Sequence, residues 1–153
     1  MEMHSMRNLA VSFVVLLGCA FALAEKNLPL DELIRRADEA SPSSQATQYM
    51  EIAEHQLQSA DKLYSSGDTA QAQKAVSDVV AFAGKATNAA KQTGSHLKHT
   101  EIHLRTMAER LRAIKRTLAF DDQKPVQDAA DNLEGMRNEI LSRMFAPPKK
   151  RKK

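Results

Sequence analysis

The stretch "SSGDTAQ", residues 65–71, decides the fold. Before it, Ala46, Met50, Ala53, Leu57, Ala60 and Tyr64 recur at alternating spacings of four and three, which is one face of an α-helix. After it, Ala72, Val76, Val79, Ala83, Ala86 and Ala90 repeat the same spacing. Gly67 suits the left-handed position that closes a helix, and Asp68 can cap the next one. Gln71 completes a D-x-x-Q pattern of the capping-box kind. The stretch therefore ends one helix and starts another within a few residues, which makes a tight antiparallel hairpin.

The same grammar continues outward. Thr93, Gly94 and Ser95 read as a second turn. Leu97, Leu104, Met107, Leu111, Ile114 and Leu118 then form the strongest apolar stripe in the chain. Asp121, Asp122 and Pro125 mark a third turn, with proline accepted in a first helical turn. Val126, Ala129, Leu133, Met136, Ile140 and Met144 complete a last face. Each long segment spans about two dozen residues, or about 35 Å at 1.5 Å per residue. Matched lengths and short turns predict an all-α, up-down-up-down antiparallel four-helix bundle over residues 44–146, preceded by a short helix and linker over residues 25–43. "SPSS", residues 41–44, separates the two.

One hairpin resembles a tetratricopeptide repeat over about 34 residues. Ala60, Gly67, Ala72 and Val76 fall at the small, turn and packing positions of that family. The resemblance implies peptide or protein binding in a concave groove. No second copy is present in the sequence, whereas such arrays bury a continuous core only by stacking several repeats.

The N-terminus carries an address. Residues 9–23 are apolar or small, Arg7 precedes them, and Ala22-Leu23-Ala24 is an A-x-A cleavage site before Glu25. That order is expected of a secretory signal peptide over residues 1–24, and the apolar stretch is short for a membrane span. Glu2 is foreign to a basic n-region; a start at Met6 would give a cleaner one. "LLGC", residues 16–19, also resembles a bacterial lipobox, which would instead anchor the protein through a lipidated Cys19. Export to the periplasm or beyond is the expectation in both cases. Cys19 is the one cysteine, so cleavage after Ala24 leaves no disulfide, thiolate nucleophile or cysteine-based zinc site.

The C-terminus ends "PPKKRKK", residues 147–153. Removing the five charges of Lys149, Lys150, Arg151, Lys152 and Lys153 turns the formal +3 of the chain into −2. Two prolines stop the last helix, so the basic residues are expected to form a disordered cationic tail. Read alone, the run is a nuclear localisation pattern, but a chain routed through a signal peptide does not meet nuclear import. Anionic lipid or acidic polysaccharide is the expected ligand of the tail, and nucleic acid is not. The partner of the bundle itself is an unidentified protein.

Chemistry concentrates on the third long helix, in "HLKHTEIH", residues 96–103. His99 and His103 stand four apart, the spacing at which two imidazoles can share a metal, and His96 lies within about 60° of them on a helical projection. These three are the candidate metal ligands. The H-E-x-x-H geometry of metalloproteases is not met, because Glu101 follows His99 by two positions and points about 200° away. His55 projects opposite the apolar face of its own helix. No nucleophile elbow, glycine-rich phosphate loop, Glu-x-x-His di-iron pattern or C-x-x-C-H haem site occurs, so neither catalysis nor a bound cofactor is expected. Lys98, Arg105, Arg112 and Arg116 share a face with Glu101 and Glu109, which predicts a self-neutralising surface with Glu101 paired to Arg105.

Overall fold

The computed structural model describes residues 28–146, so the expected signal peptide, Cys19 and the basic tail all lie outside the described residues. The protein is all-α, with five helices among the described residues: α1 (Leu30–Glu39), α2 (Pro42–Ser65), α3 (Thr69–Thr93), α4 (Leu97–Lys115) and α5 (Phe120–Met144). The chain divides between Leu33 and Ile34. Of the first unit only residues 28–33 are described; there the N–H groups of Glu32 and Leu33 bond back to the Pro29 carbonyl and start α1.

In the second unit the decisive turn closes as its residues dictate. Gly67 adopts φ +83. Its N–H donates to the Tyr64 carbonyl at 3.1 Å, and the Asp68 N–H donates to the Leu63 carbonyl at 2.9 Å. This pair of bonds is the Schellman arrangement that satisfies the last carbonyls of a helix. Asp68 Oδ1 then accepts from the Gln71 N–H at 3.2 Å and caps α3. Gly94, at φ +70, closes α3 in the same left-handed region.

Two boundaries differ from expectation. α2 starts at Pro42, with Pro42 in its first turn, so only Ser41 and its predecessor separate it from α1. α5 starts at Phe120, five residues ahead of Pro125, which puts Asp121 and Asp122 inside its first turn. Aspartate is as favourable beside the positive end of a helix as it is in a loop, and that ambiguity shifted the reading. The true connection is residues 116–119, which contain Leu118 and leave α4 with 19 residues.

Every apolar residue predicted within α3 is buried, as are Met50, Leu57, Leu104, Leu111, Leu133 and Ile140. The α3 face is mostly alanine, and where Gly84 faces α5 an added Cβ would lie 3.6 Å from Met136 Cε. Small side chains thus let the helices approach closely.

The largest contacts join α2 to α3 and α4 to α5, each an antiparallel hairpin. The hairpins meet through α3 with α5 and α2 with α4, while α3 and α4 touch less and α2 and α5 do not pair. Direction is read from cross-links of constant register: Glu54 meets His103, and seven residues on Asp61 meets Arg110. α2 and α4 therefore run parallel, as do α3 and α5, where Lys91 meets Glu139 near both C-termini. Stacking of hairpins in parallel is a property of helical-repeat arrays. Helices of 24 and 25 residues are nevertheless too long for a 34-residue tetratricopeptide unit.

The second half of α1 is tied in by a cluster that the sequence did not announce. Ala37 is fully buried. Next to it, Asp38 accepts a hydrogen bond from the Tyr49 hydroxyl, and its carbonyl accepts from Gln45 Nε2 at 3.3 Å. Lys85 Nζ lies 4.0 Å from Asp38 Oδ1 and 5.0 Å from the centre of the Tyr49 ring, which stacks on Phe82. Burial, reinforced by Asp38, pushes the Tyr49 phenol up to about 12.

Candidate functional site

The imidazoles gather where α4 leaves the turn after Gly94. His96 is the N-cap and adopts a left-handed conformation, φ 59, the one non-glycine to do so among the described residues. Its carbonyl starts the helix by accepting from the Thr100 N–H at 2.8 Å. The helical projection that placed His96 in line with the other two therefore does not apply to it. Its ring still comes within 6.4 Å of the His99 ring, edge to face.

His99 and His103 lie in the regular helix. Their ring centres are 4.1 Å apart with planes tilted by 41°. His103 Nδ1 forms a hydrogen bond with Glu54 Oε1 of α2, and both side chains are about one-third exposed. Burial and the neighbouring His103 and His96 lower the His99 pKa, against the opposing pull of Glu54 and Glu51. His99 is thus biased toward the neutral imidazole, the form that can donate a lone pair.

Glu101 belongs to the opposite side of α4. It is 13% exposed and accepts from Arg137 Nε of α5 at 2.6 Å. This agrees with its projection away from the histidines and removes it as a base for them. Arg137 is in consequence raised further above its usual range, first by its bond to Glu101. Pairing with Arg137 replaces the expected pairing with Arg105. Arg112 likewise reaches α5, at 3.3 Å from Glu134. Arg112 thus draws its acid from α5, while Glu101 is taken up by a base of α5.

His55 is exposed on α2. Ser59, Ser65, Thr93, Thr106 and Ser142 each donate a hydroxyl to the carbonyl four residues back, which for Ser59 is the backbone carbonyl of His55. Among the described residues no group of three or more His, Cys, Asp or Glu side chains converges to hold a metal ion. Lys149, Lys150, Arg151, Lys152 and Lys153 lie outside the described residues.

Three features escaped the sequence reading. Glu54 bonds to His103 across 49 positions of chain, and periodicity carries no signal for such a pair. The Tyr64 hydroxyl is buried without a hydrogen-bond partner among the described residues, at a groove edged by Asp61, Arg110, Ile114 and Leu118. Burial, with Asp122 behind it, raises its pKa. Phe145 caps α5 and is 78% exposed, one residue before Ala146 and the two prolines. An apolar residue beside a charge run is the signal that could have marked it.

Comparison of the chain with family models, with curated proteins and with solved structures returned no match.

Proposed function

We propose that this chain is an exported, non-enzymatic envelope protein whose up-down-up-down helical bundle makes protein contacts and whose basic tail holds it against an anionic surface. In this reading residues 1–24 are removed as a signal peptide and the mature chain begins at Glu25. Acylation at Cys19 is the competing route, and it would add a lipid anchor to the electrostatic one. The observation that carries the reading is Phe145. Its ring stands exposed at the end of α5, four residues before the first lysine of the basic run. Aromatic residues beside clustered Lys and Arg suit the boundary between anionic headgroups and acyl chains. Five basic residues contribute about 1 kcal/mol each near such a surface. The rest of the chain carries a formal −2 and cannot supply that attraction.

The test is deletion of residues 149–153. The truncated protein should keep its helical content and melting behaviour, and should lose its salt-sensitive binding to anionic vesicles or acidic glycan. Binding that survives the deletion and ignores salt would overturn the reading. The intact mass of the cell-purified protein separates cleavage before Glu25 from acylation of Cys19.

A further inference from the structure

The proposed surface attachment does not call on the histidine cluster, which offers a chemistry of its own. We infer that His99 and His103 form an open two-imidazole site for a divalent transition-metal ion of the Cu(II) type, with Glu54 as the residue that orients His103. Neither the tail nor Phe145 enters this argument, so it stands or falls apart from the proposed function.

The geometry supports it in three ways. His99 and His103 are one turn apart on a continuous helix, with ring centres 4.1 Å from each other, so one ion can reach a nitrogen of each. The contact with Glu54 fixes the tautomer of His103. A carboxylate at Nδ1 accepts its proton, and the lone pair is left on Nε2. A ligating histidine that gives its other N–H to a carboxylate is the usual outer-sphere support of a metal site. Glu54 is itself held in place by its helix, because its chain neighbours Ile52, Ala53 and Leu57 are buried.

The ligand count selects the ion. His96 is held in its left-handed cap with its ring 6.4 Å from that of His99, so it is not the third donor in this arrangement. Glu101 is committed to Arg137 on the other side of the helix. Two imidazoles leave the remaining positions to water, which a tetragonal ion with strong nitrogen affinity accepts. A structural zinc site would require four protein donors, and among the described residues even three do not converge. The site is accordingly one for exchangeable capture of an ion, not for stabilising the fold.

The experiment is titration of the full chain with Cu(II), followed by calorimetry and electron paramagnetic resonance. One equivalent should bind in the micromolar range with two nitrogen donors visible in the spectrum. His99→Ala and His103→Ala should each weaken binding by about tenfold or more while circular dichroism stays unchanged. Glu54→Ala should weaken it by about tenfold, the usual cost of losing outer-sphere support. Glu54→Gln should restore most of the affinity, because the amide oxygen can still accept from Nδ1–H. Binding that persists at full strength in the double variant His99→Ala, His103→Ala would place the ion elsewhere and overturn the inference. Absence of any binding by the folded parent would do the same. Unchanged affinity in Glu54→Ala would remove Glu54 from the site.

Discussion

The Tyr49 hydroxyl donates to Asp38, one residue before the end of α1, and this bond links the second half of α1 to α2. The chain contains two tyrosines and no tryptophan, and both phenols titrate above the ordinary value. For Tyr49 the native protein holds its proton more tightly than the unfolded chain does. Its contribution to stability is therefore complete below pH 10 and is lost as pH rises toward about 12. Near-ultraviolet titration of the native protein should show little tyrosinate at pH values where the urea-unfolded protein is already ionised. Coincident titration curves would refute the burial of the Tyr49 ring and of the Tyr64 hydroxyl.

The core stripe of α4 predicts a sharp contrast. Leu111 is fully buried, so Leu111→Ala should cost about 2–5 kcal/mol in urea unfolding. Leu111→Asp should unfold the protein, because an unpaired carboxylate there has no partner. Ile102 lies on the same helix at 39% exposure, and Ile102→Ala should stay within about 0.5 kcal/mol. Equal effects at the two sites would mean that the faces are assigned wrongly.

Gly67 isolates the cost of backbone conformation. An added Cβ there meets no atom within 4 Å, yet φ is +83. Gly67→Ala should destabilise by about 1–2 kcal/mol through the left-handed penalty alone. Gly67→Asn should cost less, since asparagine visits that region more readily. Thermal melts of the two variants test the order.

Glu101 and Arg137 should couple more strongly than a surface pair. Their side chains are 13% and 29% exposed, against 27% and 75% for Asp78 and Lys74. A double-mutant cycle on Glu101→Gln and Arg137→Met should return a larger coupling than the same cycle on Lys74 and Asp78. The latter should give about 0.3–0.5 kcal/mol, as for other exposed pairs four residues apart on a helix.

What the sequence disclosed and what it hid divide along one line. Gly67, Asp68 and Gly94 act through their own few neighbours, and each does what its chemistry requires. Of the capping box one half forms, with the Gln71 N–H donating to Asp68 Oδ1 while the Asp68 N–H goes to the Leu63 carbonyl. Most of the side chains marked by the heptad-like stripes are buried, because burial follows from a residue's own helix; Tyr64, Leu97, Leu118, Met136 and Met144 of those stripes are only half-buried. The stripes could not say which helix each face meets, so the parallel pairing of α2 with α4 was invisible. Glu101 shows the same limit: within its helix the obvious partner is Arg105, and the partner used is Arg137 of α5. In the candidate site, the proximity of His99 and His103 was legible from spacing. The role of Glu54 and the left-handed turn of His96 were not, because a contact across 49 positions and a strained cap leave no periodic trace.

The hairpin arrangement has a kinetic consequence. Most contacts lie within α2–α3 and α4–α5, whose helices are joined by connections of three or four residues. Loop closure inside each hairpin is cheap, so each can form early and nearly on its own. The seam between them, crossed by Glu54–His103, Asp61–Arg110 and Lys91–Glu139, closes only when two preformed units collide. Substitutions along that seam should accelerate unfolding and leave the refolding rate almost untouched, whereas changes around Gly67 should slow refolding. On this expectation the seam is the last part of the molecule to be made and the first to open.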